Sequence, residues 1–272
     1  MIPKTSTWFF LRGLTREARH WGSFPASFRA ALARELAKEL AKDMAEVDIL
    51  TPDLPGNGCR FAEPSPTSVE AMMEICRREL RDQGHAPPYH LLALSLGGMV
   101  ATAWATRYPE ECSAVVLMSS SLRPFNPFYQ RLLPAAWPTL VKMLWVAPHA
   151  REAAILALTS ARAAQLSGSV LPEWQSWARE CPVSRRNALR QLLAAARFSA
   201  ADKPAVPLLV LAGAADGMVS PLCSQRLAQA WGASFALHPT AGHDLPLDDA
   251  DWVAREVEAW LRAGSPEAGP ER

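Results

Sequence analysis

The 272-residue chain lacks the signals that mark several classes of protein. It has no surplus of charge. Lys and Arg number 28 against 27 Asp and Glu, a formal net charge of +1, so the overall balance argues for neither nucleic acid nor an anionic membrane as partner. It lacks a cysteine framework. Cys59, Cys76, Cys112, Cys181 and Cys223 are odd in number and scattered, with no Cys-x-x-Cys, which reads as free thiols in a reducing compartment. It lacks an uncharged apolar run of membrane-spanning length. The richest stretch, Leu132 to Pro148, is broken by Pro134, Pro138 and Lys142. Met1-Ile2-Pro3-Lys4-Thr5-Ser6 has neither the basic lead nor the apolar core of a signal peptide, so a cytoplasmic protein is expected. No His/Asp/Glu cluster has metal spacing and no phosphate loop ends in Gly-Lys-Ser/Thr, so no metal and no cofactor is expected. Internal repeats and low-complexity segments are absent as well.

What is present is a chain 49% hydrophobic and 20% charged, suited to one globular domain with ample surface to bury. Its most informative stretch runs from His90 to Ala105. His90 to Leu94 has the length and polarity of a buried strand. Met99 to Ala105 is good helix material that stops at Tyr108-Pro109. Between them stands Ser95, with small residues two positions either side, Ala93 and Gly97. Strand, sharp turn with serine at its tip, helix: this is the pattern of a nucleophile elbow, with alanine at the first small position. A serine in that place also serves as a plain helix N-cap, and Gly97-Gly98 fits a phosphate-binding loop.

Elsewhere, short β-rich runs alternate with helical patterns. Strands are expected at Thr7–Leu11, Val47–Thr51, His90–Leu94, Ala114–Met118, Val206–Ala212 and Ser234–Leu237. A helix is expected from Pro25 to Val47, with Phe28, Leu32, Leu36, Leu40 and Met44 as its apolar stripe. Thr67-Ser68-Val69-Glu70 reads as a capping box opening a helix that buries Val69, Met72, Met73, Cys76 and Leu80. Further helices are expected over Ser220–Trp231 and Pro246–Leu261, and a frayed tail beyond Ala263. The alternation predicts an α/β fold with a mostly parallel sheet covered on both faces. From Leu122 to Asp202 no strand pattern is found, only helical pieces punctuated by proline. The expected organisation is therefore a core of residues 1–121 and 203–272 carrying a helical lid, residues 122–202, at the sheet's carboxyl edge, where such folds bind ligands.

Two more residues follow strands on that edge: Asp216 in Gly213-Ala214-Ala215-Asp216, and His243 in Gly242-His243-Asp244. Serine, acid and histidine in this chain order suit a serine hydrolase. A serine hydroxyl needs a base to take its proton, an imidazole can supply one near neutral pH, and a carboxylate behind the imidazole fixes its tautomer. The backbone N–H groups of Leu96, directly after the serine, and of Leu14, in the loop after the first strand, are the candidate oxyanion donors.

Taken together these residues resemble the α/β-hydrolase superfamily over about residues 7 to 262, and within it the small esterases that include the pimeloyl-carrier-protein methyl esterase group. The resemblance rests on Arg12-Gly13 where the family has His-Gly, on Asp53-Leu54-Pro55-Gly56-Asn57-Gly58, on Ala93-Leu94-Ser95-Leu96-Gly97-Gly98, on Gly213 to Asp216 and on Gly242-His243. It implies an α/β-hydrolase fold with a helical lid, and an esterase working through an acyl-enzyme on Ser95, His243 and Asp216. Asp53 is read as a turn former.

Candidate substrate contacts are Arg12, the aromatics Phe125 and Phe128 that follow the strand after the elbow, and Trp145. Trp137, Trp145, Trp174 and Trp177 fit an apolar acyl site and equally fit helices pinned to the body. Arg123, Arg131, Arg185, Arg186 and Arg190 fit an acidic carrier protein, a substrate carboxylate or a solvated helical face. The favoured partner is a small-molecule ester. The alternatives are an ester or thioester on an acyl carrier protein and a non-catalytic ligand-binding protein on the same scaffold. Perhydrolase and C–C bond hydrolase chemistry share the same three residues.

Overall fold

The computed structural model describes residues 5–40, 46–143 and 145–264. Its centre is a six-stranded parallel sheet in the order β2-β1-β3-β4-β5-β6. The strands are β1 Thr5–Leu11, β2 Glu46–Leu50, β3 Tyr89–Leu94, β4 Cys112–Met118, β5 Leu208–Gly213 and β6 Ser234–His238. The chain first steps from β1 outward to β2, then returns to place β3 on the other side of β1. The crevice beyond the carboxyl ends of β1 and β3 is thus the topological switch point at which open parallel sheets bind ligands.

Alternate side chains along each strand serve opposite faces. Phe9, Leu11, Leu91, Ala93, Val115 and Leu117 pack with α2 (Val69–Asp82) and α3 (Leu96–Arg107). Trp8, Phe10, Leu92, Leu94, Val116 and Met118 pack on the other face with Phe24, Phe28 and Leu32 of α1 (Phe24–Leu40). Burial on both faces is why the central strands read as unbroken apolar runs.

Between β4 and β5 the chain forms α4 Phe128–Arg131, α5 Trp137–Met143, α6 Pro148–Thr159, α7 Ala163–Leu166, α8 Val170–Glu180 and α9 Arg185–Arg197. Its two ends meet at a neck, where Ala200 N–H donates to the Arg123 carbonyl at 2.9 Å beside an isolated bridge from Arg123 to Ser199. After β5 come α10 Pro221–Trp231, α11 Leu245–Asp248 and α12 Ala250–Gly264.

The sequence-based elements land within a few residues of these bounds, with three corrections. Of the helix expected over Pro25 to Val47, α1 occupies Phe24–Leu40 among the described residues, and its expected last residue, Val47, lies instead in β2, paired with Ser6, where β-branched Val47 and Ile49 suit an edge strand. Met44 of the expected stripe, like the tail beyond Gly264, lies outside the described residues. The cap of α2 is Ser68, whose hydroxyl accepts from Ala71 N–H, one residue later than the Thr67 box requires. The helix expected over Pro246–Leu261 is two helices, parted at Asp249.

Gly97 shows how closely the switch point is packed. A Cβ there would stand 2.2 Å from the Leu11 carbonyl oxygen and 2.8 Å from that of Arg12, both rigid backbone. Gly97→Val is expected to lower stability in urea denaturation by about 1–3 kcal/mol or more. Gly168→Ala, where a Cβ meets nothing within 4 Å, should change it by less than about 0.5 kcal/mol.

Candidate active site

Ser95 joins β3 to α3 with φ 55° and ψ −115°, a region that a side-chain-bearing residue adopts at a cost of about 1–3 kcal/mol. Its surroundings hold it there. Its N–H donates to the Met118 carbonyl at 2.9 Å, and its carbonyl accepts from Gly98 N–H at 2.9 Å and from the Ser120 hydroxyl at 3.1 Å. Gly97 admits the end of β1, and Gly98 admits Ser120, whose Oγ would lie 2.0 Å from any Cβ placed there. Ala93 is fully buried between Leu11 and Leu117, and its methyl is absorbed by the core.

The loop after β1 crosses directly over the serine. A Cβ on Gly13 would lie 3.3 Å from Ser95 Cβ. Among the described residues the N–H groups of Leu14 and Leu96 donate to no protein acceptor, and both residues line the cavity that holds Ser95. The next residue, Thr15, has positive φ and is fixed by its N–H donating 2.8 Å to Gln191 Oε1, on α9. Gln191 is fully buried. Its Nε2 donates to Asn57 Oδ1 at 2.7 Å and to Ser65 Oγ at 3.0 Å, while Asn57 Nδ2 donates to the Arg16 carbonyl at 2.9 Å.

His243 follows β6 and is buried. Its Nδ1 lies 2.7 Å from Asp216 Oδ2, and the other oxygen of Asp216 accepts from Met218 and Val219 N–H at 2.8 and 2.9 Å. The carboxylate is therefore held on both sides, and with Nδ1–H donating to it, Nε2 is left to accept. Burial disfavours the imidazolium, but the Asp216 charge and hydrogen bond, with help from Asp244, outweigh burial and raise the His243 pKa above its ordinary value. Gly242 is clamped beside it, its N–H donating 2.7 Å to Asp248 Oδ2, which also accepts from Ala161 N–H at 2.9 Å.

Ser95 and His243 both line a cavity of about 490 Å³, walled mainly by apolar side chains from the body and from α5, α6 and α9. No hydrogen bond joins their side chains among the described residues; Asp216 stands behind His243, outside the cavity lining. A second cavity of about 630 Å³ lies between α8 and the start of α12 and holds none of the three. The geometry puts a strained serine, an imidazole backed by a carboxylate, and two free backbone donors around one apolar space.

A model of the alpha/beta hydrolase family matches residues 9–256. The chain belongs to the alpha/beta hydrolase family. Solved structures with the same fold include the putative non-heme bromoperoxidase BpoC of Mycobacterium tuberculosis H37Rv, 19% identical, covering 96% of this chain and 93% of that one with a TM-score of 0.72. They also include a thermophilic esterase from Thermogutta terrifontis, 20% identical, covering 95% and 90% with a TM-score of 0.67. The uncharacterized protein YbdG of Bacillus subtilis strain 168 is 31% identical over 77 residues, 28% of this chain, and the chain spans only 24% of that relative's length. At these identities the solved structures speak to fold, while the family match supports a hydrolase.

Within this hydrolase, the remaining expected contacts are redistributed. Phe128 lines the cavity, but Phe125 packs edge-on against Trp231 in the core and is absent from the lining. Trp145 is also absent from it and is three-quarters exposed, its ring 5.9 Å from the Arg185 guanidinium. Arg12 borders the cavity with its guanidinium committed to Asp244 through two hydrogen bonds, 3.1 and 2.5 Å, and seated over Trp21. It therefore anchors the segment bearing His243. Asp53 is a turn residue, accepting from Ala18 and Cys59 N–H.

The residues that sequence reasoning missed are polar and buried. Gln191 and Asn57 hold the loop after β1, and the bidentate Arg16–Glu152 ion pair ties that loop to α6. The one signal in the sequence was Gln191 standing among the apolar positions of a helix. His20 is buried between Trp174 and Trp177; burial first, then the charges of Arg16 and Arg12, push its pKa well below the ordinary value and keep it neutral.

The electrostatics of His243 are testable by NMR titration. Its midpoint should lie above the ordinary histidine value of about 6.5. In Asp216→Asn, burial prevails and the midpoint should fall below that value; a midpoint unmoved by the substitution would contradict the assigned cause.

Proposed function

We propose that this protein is a cofactor-independent serine hydrolase of carboxylic esters, with Ser95 as nucleophile, His243 as base and acid, Asp216 as its orienting carboxylate, and the N–H groups of Leu14 and Leu96 as oxyanion donors. The observation that carries this reading is the strained Ser95 turn opening into the same cavity as a histidine already paired to a buried carboxylate.

In the reaction, Ser95 Oγ attacks the ester carbonyl carbon while His243 Nε2 takes its proton. The charge that develops on the carbonyl oxygen is met by the two backbone donors. One such donor is worth about 3 kcal/mol in a comparable hydrolase. Collapse of the tetrahedral adduct breaks the ester C–O bond, and the alcohol leaves with the proton held by His243. Water then attacks the acyl-serine by the same route, releasing the acid and restoring Ser95. The apolar wall suits a hydrophobic acyl or alcohol group, and residues 122–202 act as the lid over it.

Protonated His243 cannot act as base, so kcat/KM falls as pH drops through its raised pKa. The direct test is Ser95→Ala, which should abolish turnover of a short p-nitrophenyl ester with the circular dichroism spectrum unchanged. Retained turnover would overturn the reading. A second expectation concerns Gln191 as a positioning residue. Gln191→Leu leaves Thr15 N–H without its acceptor and loosens the Leu14 donor, so kcat should fall about tenfold while KM changes by less than about threefold. A raised KM with kcat unchanged would mean that Gln191 shapes only the binding wall.

A further inference from the structure

The near-neutral total charge conceals a strong local imbalance. Residues 122–202 hold ten Lys and Arg against four Asp and Glu, and the stretches 122–151 and 181–201 hold no acidic residue at all. Of those four acids, Glu152 and Glu180 are paired with Arg16 and Arg19 of the body. The outer surface of this segment is therefore cationic.

The same surface is apolar. Among the described residues ten large hydrophobic side chains are exposed, and eight of them fall between Phe128 and Leu193. Phe128 is 70% exposed, Trp145 75% and Val141 57%. The chain pays for exposed aromatic and branched aliphatic groups in water, and such a patch marks an interaction surface. Its members adjoin one another. Phe128 stacks on Trp137 with ring centres 6.1 Å apart, and both line the Ser95 cavity together with Leu189 and Leu192 of α9. Arg185, at the start of α9, reaches toward the Trp145 ring. Phe128, Trp137, Leu189 and Leu192 thus edge the cavity as a rim, and the exposed Tyr129, Val141, Trp145 and Leu193 of the same helical segment extend its apolar surface.

We propose that this rim docks on an anionic lipid surface, inserting Trp145, Val141 and Phe128 among the acyl chains while Lys142, Arg185 and Arg186 engage the headgroup charges. Charge complementarity selects the occupant. Aromatic and aliphatic side chains gain by leaving water for the acyl boundary, and flanking cations are attracted to anionic headgroups, each by about 1 kcal/mol. An acidic protein would satisfy the cations and leave the outward tryptophan and phenylalanine without an apolar phase. No helix among the described residues is long and apolar enough to cross a membrane, so the attachment is peripheral. Resting on the esterase reading, the arrangement also sets the substrate class. An apolar ester partitioned into the lipid passes between Phe128, Trp137, Leu189 and Leu192 to Ser95 without crossing water.

The test is co-sedimentation of the full chain with phosphatidylcholine vesicles, with and without phosphatidylglycerol. The protein should pellet with the anionic vesicles, less so in added salt. Trp145→Ser/Val141→Ser and Arg185→Glu/Arg186→Glu should each weaken binding about tenfold, with circular dichroism and turnover of a soluble short ester unchanged. Ser95→Ala should bind like the wild type, so vesicle binding and ester chemistry stand or fall separately. Protein that stays in the supernatant with anionic vesicles, variants that bind like the wild type, or capture by an acidic acyl carrier protein without vesicle binding would each overturn the proposal.

Discussion

The site depends on one backbone constraint, the left-handed turn that presents Ser95. No regular strand or helix would leave that hydroxyl projecting into the crevice between β1 and β3. The conformation costs free energy, and the fold supplies what holds it: a hydrogen bond to β4, the Ser120 hydroxyl on its carbonyl, and two glycines that let β1 and β4 approach. A methyl on Gly97 would displace the end of β1 and one on Gly98 would displace the Ser120 side chain that holds the Ser95 carbonyl, which ties the geometry of the serine to the packing around the central sheet.

A second theme is how the helical segment joins the body. The joints are polar and buried, and each ends next to a group that the proposed chemistry uses. Gln191 fixes Thr15 beside the Leu14 donor. Arg16–Glu152 fixes the same loop to α6. Asp248 gathers Gly242, Ala161 and the Ser160 hydroxyl, locking the approach to His243. Buried charges are costly unless paired and hydrogen-bonded, and Arg12 with Asp244 and Arg16 with Glu152 both meet that condition through bidentate contacts. Movement of the helical segment would therefore be felt at the donor loop and at the histidine together.

The sheet was legible because its physics is local. Val115 to Met118 and Leu208 to Ala212 are apolar on both faces, and turn formers stop them. Ser95, Asp216 and His243 stood out because each follows a strand in one chain order. Less legible was whatever depends on contacts distant in sequence. Nothing near Phe125 reveals that Trp231 claims its ring, and nothing near Arg12 reveals Asp244, which is 232 residues away. The sequence equally allows Trp145 an apolar acyl site or a place pinning helices to the body, and the structure shows it facing solvent. The even charge total likewise hid a cationic rim, since the opposing acids lie elsewhere in the chain.

The central claim is that the hydroxyl of Ser95 is activated by His243 in the folded protein. Labelling with a fluorophosphonate, followed by peptide mass spectrometry, tests it most directly. The account predicts one adduct per chain, on the peptide carrying Ser95, and its loss in His243→Ala protein that remains folded. An unlabelled native protein, or an adduct on a different serine, would contradict it.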